Sequence, residues 1–148
     1  KHLLIEKEFD AIVVGSDQIW RPKYYSAIEI AFLNFAQKCN IKRISYAASF
    51  GTDEIEYMNM QQQKCGELLR LFDAVSVRVD CGVDLCRSMF DVEAKHVLDP
   101  TMLLNSDDYI KLIANSSVQK SKGDLMTYIL DEDYQKEEIV ACVEKNMD

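Results

Sequence analysis

The chain alternates between short apolar runs and amphipathic stretches, and this alternation predicts its secondary structure. Runs rich in aliphatic residues predict strands over 10–15, 42–48, 74–77 and 95–98. Apolar side chains spaced by three, four and seven residues predict helices over 54–72, 80–90 and 106–113. Thr52 or Asp53 is the expected N-cap of the first of these helices. The stretch 24–36 fits either a short strand or a helix.

Strands that alternate with helices predict an α/β protein with a doubly wound parallel sheet, whose strands are apolar on both faces. Small and polar residues over 115–124 predict a linker between a domain over 1–114 and a further unit over 125–148. That unit is expected to hold a strand over 125–130 and a helix over about 132–147. Because the chain begins with Lys1, we expect it to be part of a longer protein.

Charge and hydrophobicity narrow the function classes. The 17 basic and 25 acidic residues give a net charge of −8, and the pair Lys42-Arg43 is the nearest approach to a basic patch. An acidic chain repels a phosphate backbone, so nucleic acid is not an expected partner. No apolar run approaches the ~20 residues of a membrane span.

Cysteine and histidine give no sign of a metal site or a catalytic triad. The five cysteines are an odd number, and the spacing of Cys81 and Cys86 fits no zinc motif, which favours reduced, buried, structural thiols. His96 lies within a predicted strand, where a packed structural role is expected, and His2 carries no signal. No nucleophile has a plausible histidine partner, and no phosphate-binding glycine motif occurs.

The candidate site comes from the residues that follow each predicted strand, because ligands of open parallel sheets bind at the carboxyl ends of the strands. Glycines allow tight turns, hydroxyl groups can donate to a ligand, and an Arg fork suits a carboxylate or phosphate. A helix that starts after Gly51 would add free N–H groups for an anion. The candidate residues are Gly15, Ser16, Asp17, Gln18, Ser49, Gly51 and Arg78, with Thr101 as a further hydroxyl.

Several of these residues also have a purely structural interpretation. Gly15-Ser16-Asp17 and Gly51 can be simple turns, and Arg78 can pair with Asp80 or another carboxylate. Asp99-Pro100 is typical of a structural turn, and Trp20 is expected to pack at the rim of the crevice.

Five blocks of sequence, in order, resemble the polysaccharide pyruvyl transferase family. They are FDAIVVGSDQIW (9–20), FLNFA (32–36), KRISYAASFG (42–51), FDAVSVR (72–78) and HVLDPT (96–101). The resemblance implies a bacterial enzyme that transfers the pyruvyl group of phosphoenolpyruvate to hydroxyls of a cell-surface glycan or its lipid-linked precursor, as a ketal. Phosphoenolpyruvate would be the donor substrate, with no cofactor.

The resemblance also implies two Rossmann-like domains in a GT-B-like arrangement. The chain would then hold the latter part of the N-terminal domain (1–114) and the first strand-helix unit of the C-terminal domain (125–148). A general-acid histidine is expected outside this chain, which by itself would be inactive. The family usually has Glu directly after its Ser-x-Arg; Val79 stands there, and Asp80 follows one residue later.

By this resemblance Arg78 would bind an anion, and Ser16, Asp17, Gln18, Ser49 and Gly51 would shape the pocket or contact the sugar. The expected location is the cytoplasm, with association at the inner membrane face as an option and homo-oligomers through an open sheet edge as another. Two alternatives stay open: a GT-B-like glycosyltransferase that uses a sugar nucleotide, and a non-catalytic α/β binding module.

Overall fold

The structure is a computed structural model that describes residues 8–117, 123, 125–130 and 133–146. The chain forms two compact units, Lys1–Ser106 and Asp107–Asp148. The predicted linker lies mostly outside the described residues, so the predicted domain bounds stay predictions.

Four short parallel strands organise the first unit. They are β1 (Ala11–Val14), β2 (Lys42–Ser45), β3 (Ser76–Val77) and β4 (Lys95–His96). β1 pairs with β2 and β3 with β4, and the parallel bridges Ile44–Ala74 and Ala48–Val77 join the two pairs. The strands therefore follow one another in chain order, and their carboxyl ends lie at one edge. All four predicted strands are confirmed and each is shorter than predicted: β2 and β4 keep the predicted start, and β3 keeps the predicted end.

The ambiguous stretch between β1 and β2 is neither a strand nor an α-helix. It forms three 3₁₀ helices, Pro22–Tyr24, Ile28–Phe32 and Asn34–Ala36. Leu33 separates the last two in a left-handed conformation (φ 58°), which prevents them from joining into one helix. The guanidinium of buried Arg43 binds this segment to β2, because it donates to the carbonyl oxygens of Ala36, Cys39 and Ile41.

Two α-helices cover the same core. Helix α1 (Asn59–Leu69) begins five residues later than predicted, and helix α2 (Asp80–Phe90) has the predicted bounds. The expected N-cap at Thr52 or Asp53 is wrong: Met58 holds that position, and its N–H donates to the Gln61 side chain. As a consequence Ile55 and Met58, placed on the buried stripe by the sequence, are 58% and 67% exposed.

Aromatic rings fill the centre of the first unit. Trp20 is fully buried, stacks on Phe32 at 5.1 Å between ring centroids, and donates through Nε1 to the carbonyl of Ala31. The predicted packing role of Trp20 is confirmed, but its predicted place at the rim is wrong, since the ring lies in the core. The cluster also contains Phe50, Tyr57, Phe72 and Phe90.

Strand β1 is buried on one face only. Val14 is 8% exposed, while Val13 on the opposite face is 59% exposed. Small parallel sheets with helices fit the predicted α/β class. The prediction that the strands are buried on both faces is wrong for β1 and confirmed for β3, where Ser76 and Val77 are both buried. The doubly wound Rossmann-like arrangement stays a prediction.

The second unit contains most of α3 (Ser106–Ala114) and all of α4 (Tyr134–Lys145). Both predicted helices are confirmed, and Asp133 caps α4 by accepting from the N–H of Gln135. The strand predicted over 125–130 is wrong: those residues form no strand, and in the part of the chain that the structure describes no other strand pairs with them.

The cysteines are only partly as expected. Cys39, Cys65 and Cys86 are buried and structural, but Cys81 is half-buried and Cys142 is exposed. Among the described residues no helix is long and apolar enough to cross a lipid bilayer. The same residues contain no cluster of three or more histidine, cysteine or carboxylate side chains that could hold a metal ion.

Candidate functional site

The carboxyl ends of β1, β2 and β3 meet at a cavity of about 480 Å³. Its walls are Gln18, residues 48–53 and residues 78–82. Backbone hydrogen bonds draw the three ends together. The N–H of Ser49 donates to the carbonyl of Asp17 at 3.1 Å, and the N–H of Arg78 donates to the carbonyl of Ala48 at 3.0 Å.

Gly15 is required by the close approach of two neighbouring backbones, and it does not line the cavity. It has φ +136°, and a Cβ added to it would lie 1.9 Å from the carbonyl oxygen of Tyr46 on the neighbouring strand. Only glycine fits at such a position. Gly15, Ser16 and Asp17 are not among the residues that line the cavity, although the Asp17 carboxylate reaches Arg78.

Ser49 and Gly51 form the turn after β2. The Ser49 side chain is buried, and its Oγ accepts from the N–H of Gly51 at 3.0 Å, so the hydroxyl stabilises the turn. Gly51 has φ +72°, and a Cβ there would lie 2.1 Å from Oε1 of Gln18. The Gln18 carboxamide therefore rests directly on the Gly51 backbone at the cavity wall.

Arg78 is the only cationic side chain among the residues that line this cavity. Its Nη1 lies 3.0 Å from Oδ2 of Asp99, and its Nη2 lies 3.7 Å from Oδ1 of Asp17. The sequence offered Asp80 or another carboxylate as the structural partner; the partner is Asp99, which follows β4. Arg78 and Asp99 are about three-quarters buried, whereas the Asp17 carboxylate is 91% exposed.

Asp99 is held as a carboxylate by several donors. Its Oδ1 accepts from the N–H of Thr101 at 3.0 Å and from the Thr101 hydroxyl at 2.8 Å. These two hydrogen bonds, followed by that of Arg78, lower the pKa of Asp99 to about 2. The structural turn predicted at Asp99-Pro100 is confirmed, since Asp99 caps the 3₁₀ helix Pro100–Leu103.

The amino end of α2 also forms part of the cavity wall, which no pattern in the sequence predicted. Val79 occupies the N-cap position and supplies no side-chain cap, while residues 79–82 line the cavity. The predicted helix start after Gly51 is wrong, because α1 begins only at Asn59. Asp80, one residue later than the family's usual Glu, accepts from the N–H of Cys81.

Cys81 and His96 lie close to Arg78. Burial raises the pKa of the Cys81 thiol, and Asp80 and Asp53 add to this effect, which disfavours the thiolate. His96 was expected to be packed, but its side chain is exposed, and its Nε2 lies 3.0 Å from the carbonyl oxygen of Arg78. The ring makes this backbone contact and is not part of the apolar core.

An ion pair beside the cavity was also missed. Arg21 makes two hydrogen bonds to Glu56, of 3.0 and 2.9 Å, and a third of 3.2 Å to Oε1 of Gln18. The hydrogen bond to Glu56 raises the pKa of Arg21, and it lowers that of Glu56. Thirty-five residues separate the two partners, and no periodic pattern in the sequence connects them.

Comparison with known proteins places this chain in a family. A family model described as polysaccharide pyruvyl transferase matches residues 1–146 of the 148-residue chain. The chain belongs to the polysaccharide pyruvyl transferase family. Membership in this family indicates a transferase with a saccharide acceptor. Comparison with curated proteins gave no match, and neither did comparison with solved structures.

Proposed function

We propose that this chain is part of an enzyme that transfers the pyruvyl group of phosphoenolpyruvate to two hydroxyls of a saccharide. The strongest support for the site is the convergence of three strand ends on one cavity that contains Arg78. Family membership supports the reaction. The Rossmann-like, GT-B-like architecture, the cytoplasmic location and the absence of a cofactor are parts of the same proposal.

The reaction balances without a further reactant. The enol carbon C3 of phosphoenolpyruvate takes a proton, and C2 then accepts the first sugar hydroxyl. The second hydroxyl replaces the phosphate at C2, so the products are a pyruvate ketal and inorganic phosphate. The two sugar hydroxyls lose two protons. One of them balances the proton that C3 takes up to become a methyl group, and the other leaves with the phosphate.

The geometry of Arg78 suits the binding of such a donor. Asp99 holds Nη1 at 3.0 Å and thereby orients the guanidinium plane. Nη2 has only the longer contact of 3.7 Å with the exposed Asp17, which a carboxylate or phosphate can replace at little cost. Arg78 would thus bind the anion through Nη2 while Asp99 keeps its side chain in place.

The remaining candidate residues would surround the substrates. Gln18, Ser49 and Gly51 belong to the cavity wall, and we assign them to the donor side. Ser16 and Asp17 lie next to that wall on the turn after β1, and we assign them to the sugar.

Binding of phosphoenolpyruvate measured by isothermal titration calorimetry tests this function. Arg78→Met removes a charged hydrogen bond worth roughly 1.5–3 kcal/mol, so we expect binding about 10- to 100-fold weaker. Arg87→Met is the matched control, because Arg87 lies on the exposed side of α2 and pairs with Glu93. The Arg87→Met variant should bind phosphoenolpyruvate with the affinity of the wild type.

Two results would contradict the proposal. Absence of phosphoenolpyruvate binding by the wild-type protein, together with binding of a nucleotide sugar, would favour the glycosyltransferase alternative. Equal affinities of the Arg78→Met and Arg87→Met variants would remove Arg78 from the site.

A further inference from the structure

The carboxamide of Gln18 has a defined orientation at the cavity wall. Its oxygen Oε1 accepts from Nη1 of Arg21 at 3.2 Å. Because a guanidinium group only donates hydrogen bonds, the atom that faces Arg21 must be the amide oxygen. The amide nitrogen Nε2 then points away from Arg21. Within the residues that the structure describes, Nε2 has no hydrogen-bond acceptor.

Arg21 is itself held in place. Glu56 accepts from both Nε and Nη2 of Arg21 in a two-pronged ion pair, and the guanidinium lies 5.2 Å from the ring centre of Tyr24. The Arg21 and Glu56 side chains are 18% and 26% exposed. A fork with two hydrogen bonds and an aromatic neighbour has little rotational freedom, so Nη1 is a fixed donor for Gln18.

The missing side chain of Gly51 leaves room for the carboxamide beside Arg21. A Cβ at Gly51 would lie 2.1 Å from Oε1 and 2.6 Å from Cδ of Gln18, so the amide plane lies against bare backbone. Arg21 determines that the amide oxygen, and not the amide nitrogen, faces its guanidinium. Gly51 leaves the space that the carboxamide occupies. Together they explain why Gln18 keeps one orientation.

We propose that Arg21, held by Glu56, is a positioning residue that turns the Nε2 donor of Gln18 toward an oxygen of the anionic donor substrate. This inference rests on the proposed function and names a second contact in the same cavity. Asp53 and Asp80 also line that cavity, so an anion there needs donors besides Arg78. An amide N–H directed at a carboxylate or phosphate supplies one without adding charge.

The test uses calorimetric titration of the protein with phosphoenolpyruvate. Gln18→Met keeps the length of the side chain and removes the donor, and we expect binding about 10-fold weaker. Gln18→Glu keeps the contact with Arg21, as an ion pair, and also removes the donor; we expect at least the same loss while the melting temperature is kept or raised. Gln37→Glu, at an exposed position whose side chain has no hydrogen bond within the described residues, is the control for added charge and should bind as the wild type does.

The positioning role of Arg21 has its own spectroscopic measurement. In wild-type protein labelled with ¹⁵N, the side-chain amide signals of Gln18 should move when phosphoenolpyruvate is added. In Glu56→Gln, which loosens Arg21 without removing it, these signals should broaden or shift before any ligand is added. Binding should weaken about 3-fold, since this variant loses orientation rather than the donor itself.

The possible failures can be told apart. If the wild-type protein does not bind phosphoenolpyruvate, the proposed function and this inference both fail. If the wild type binds phosphoenolpyruvate and both Gln18 variants bind it as tightly as the wild type, this inference is overturned and the proposed function is not affected. If the Gln18 variants lose affinity while Glu56→Gln leaves the Gln18 amide signals and the affinity unchanged, Gln18 contacts the substrate but Arg21 does not position it.

Discussion

Single residues of this protein have both a structural and a chemical use, and Arg78 shows how the two combine. An arginine after a strand predicted an anion contact, or alternatively an ion pair. The structure contains the ion pair, with Asp99, and it leaves one edge of the guanidinium with only a loose contact. Pairing and ligand binding are therefore compatible at this residue, because the two use different nitrogen atoms.

Asp99 should make the free energy of unfolding depend on pH in the acid range. Its pKa is about 2 in the folded protein, below its ordinary value near 3.8. A lowered pKa stabilises the folded state above the ordinary value, and this stabilisation is lost as the pH falls toward 2. We expect Asp99→Asn to be less stable than the wild type at pH 6, and the difference should shrink between pH 4 and 2. Urea unfolding across this pH range measures it.

Thr101→Val separates the contributions of the Thr101 hydroxyl and the Thr101 N–H to the lowered pKa of Asp99. It removes the hydroxyl that donates to Asp99 and keeps the N–H of residue 101, so the pKa of Asp99 should rise only in part toward its ordinary value. A stability difference between wild type and Asp99→Asn that stays constant from pH 6 to pH 2 would contradict the assignment.

At the scale of elements, tertiary contacts changed where α1 begins. The apolar spacing predicted a helix from residue 54, yet residues 54–58 are not helical. Tyr57 is buried among aromatic rings, where its hydroxyl donates to the carbonyl of Trp20, and Glu56 binds Arg21. These contacts hold residues 56 and 57 against residues 20 and 21, and α1 begins only after them. No comparable contact displaces α2, so its bounds follow the pattern.

Arg43 connects β2 to the 3₁₀ segment before it, although no sheet hydrogen bonds join the two. Its guanidinium supplies donors to three buried carbonyl groups before β2. Arg43→Met would remove this donor from the Cys39 and Ile41 carbonyls, while the Ala36 carbonyl still accepts from the N–H of Cys39. At a cost of roughly 1–3 kcal/mol for each of the two affected groups, we expect a total loss of about 2–6 kcal/mol. Urea unfolding measures the free energy difference.

Arg70→Met is the matched control for Arg43. Arg70 is exposed and donates once, to the carbonyl of Phe90, so its loss should cost about 1 kcal/mol or less. Equal effects of the two substitutions would show that the buried carbonyls find other donors.

At the scale of the whole molecule, the open side of β1 is the feature with the widest consequence. Among the described residues β1 pairs only with β2, and an apolar groove of about 590 Å³ lies beside it. Tyr24, Tyr25, Ile30 and Phe35 contribute to this groove and are exposed. Unpaired strand edges next to apolar surface favour pairing with another chain.

We therefore expect the protein to self-associate as its concentration rises. Size-exclusion chromatography with light scattering should show larger species at high concentration. Val13→Lys, on the exposed face of β1, should shift the population to monomer, because a charge on an edge strand disfavours pairing. Ile55→Lys removes an equally exposed aliphatic side chain away from that edge and should have no such effect. A wild type that stays monomeric at every concentration would contradict the expectation.

The sequence by itself determined the order and type of most elements and the strand ends at which a site could form. Local patterns were sufficient for this, because apolar periodicity and turn residues act within a few positions of the chain. Only the tertiary structure decided what each polar side chain contacts. Arg78 with Asp99, Arg21 with Glu56, and the amino end of α2 at the cavity wall all join residues distant in the chain. Such partners depend on how the elements pack, and no spacing in the sequence encodes them.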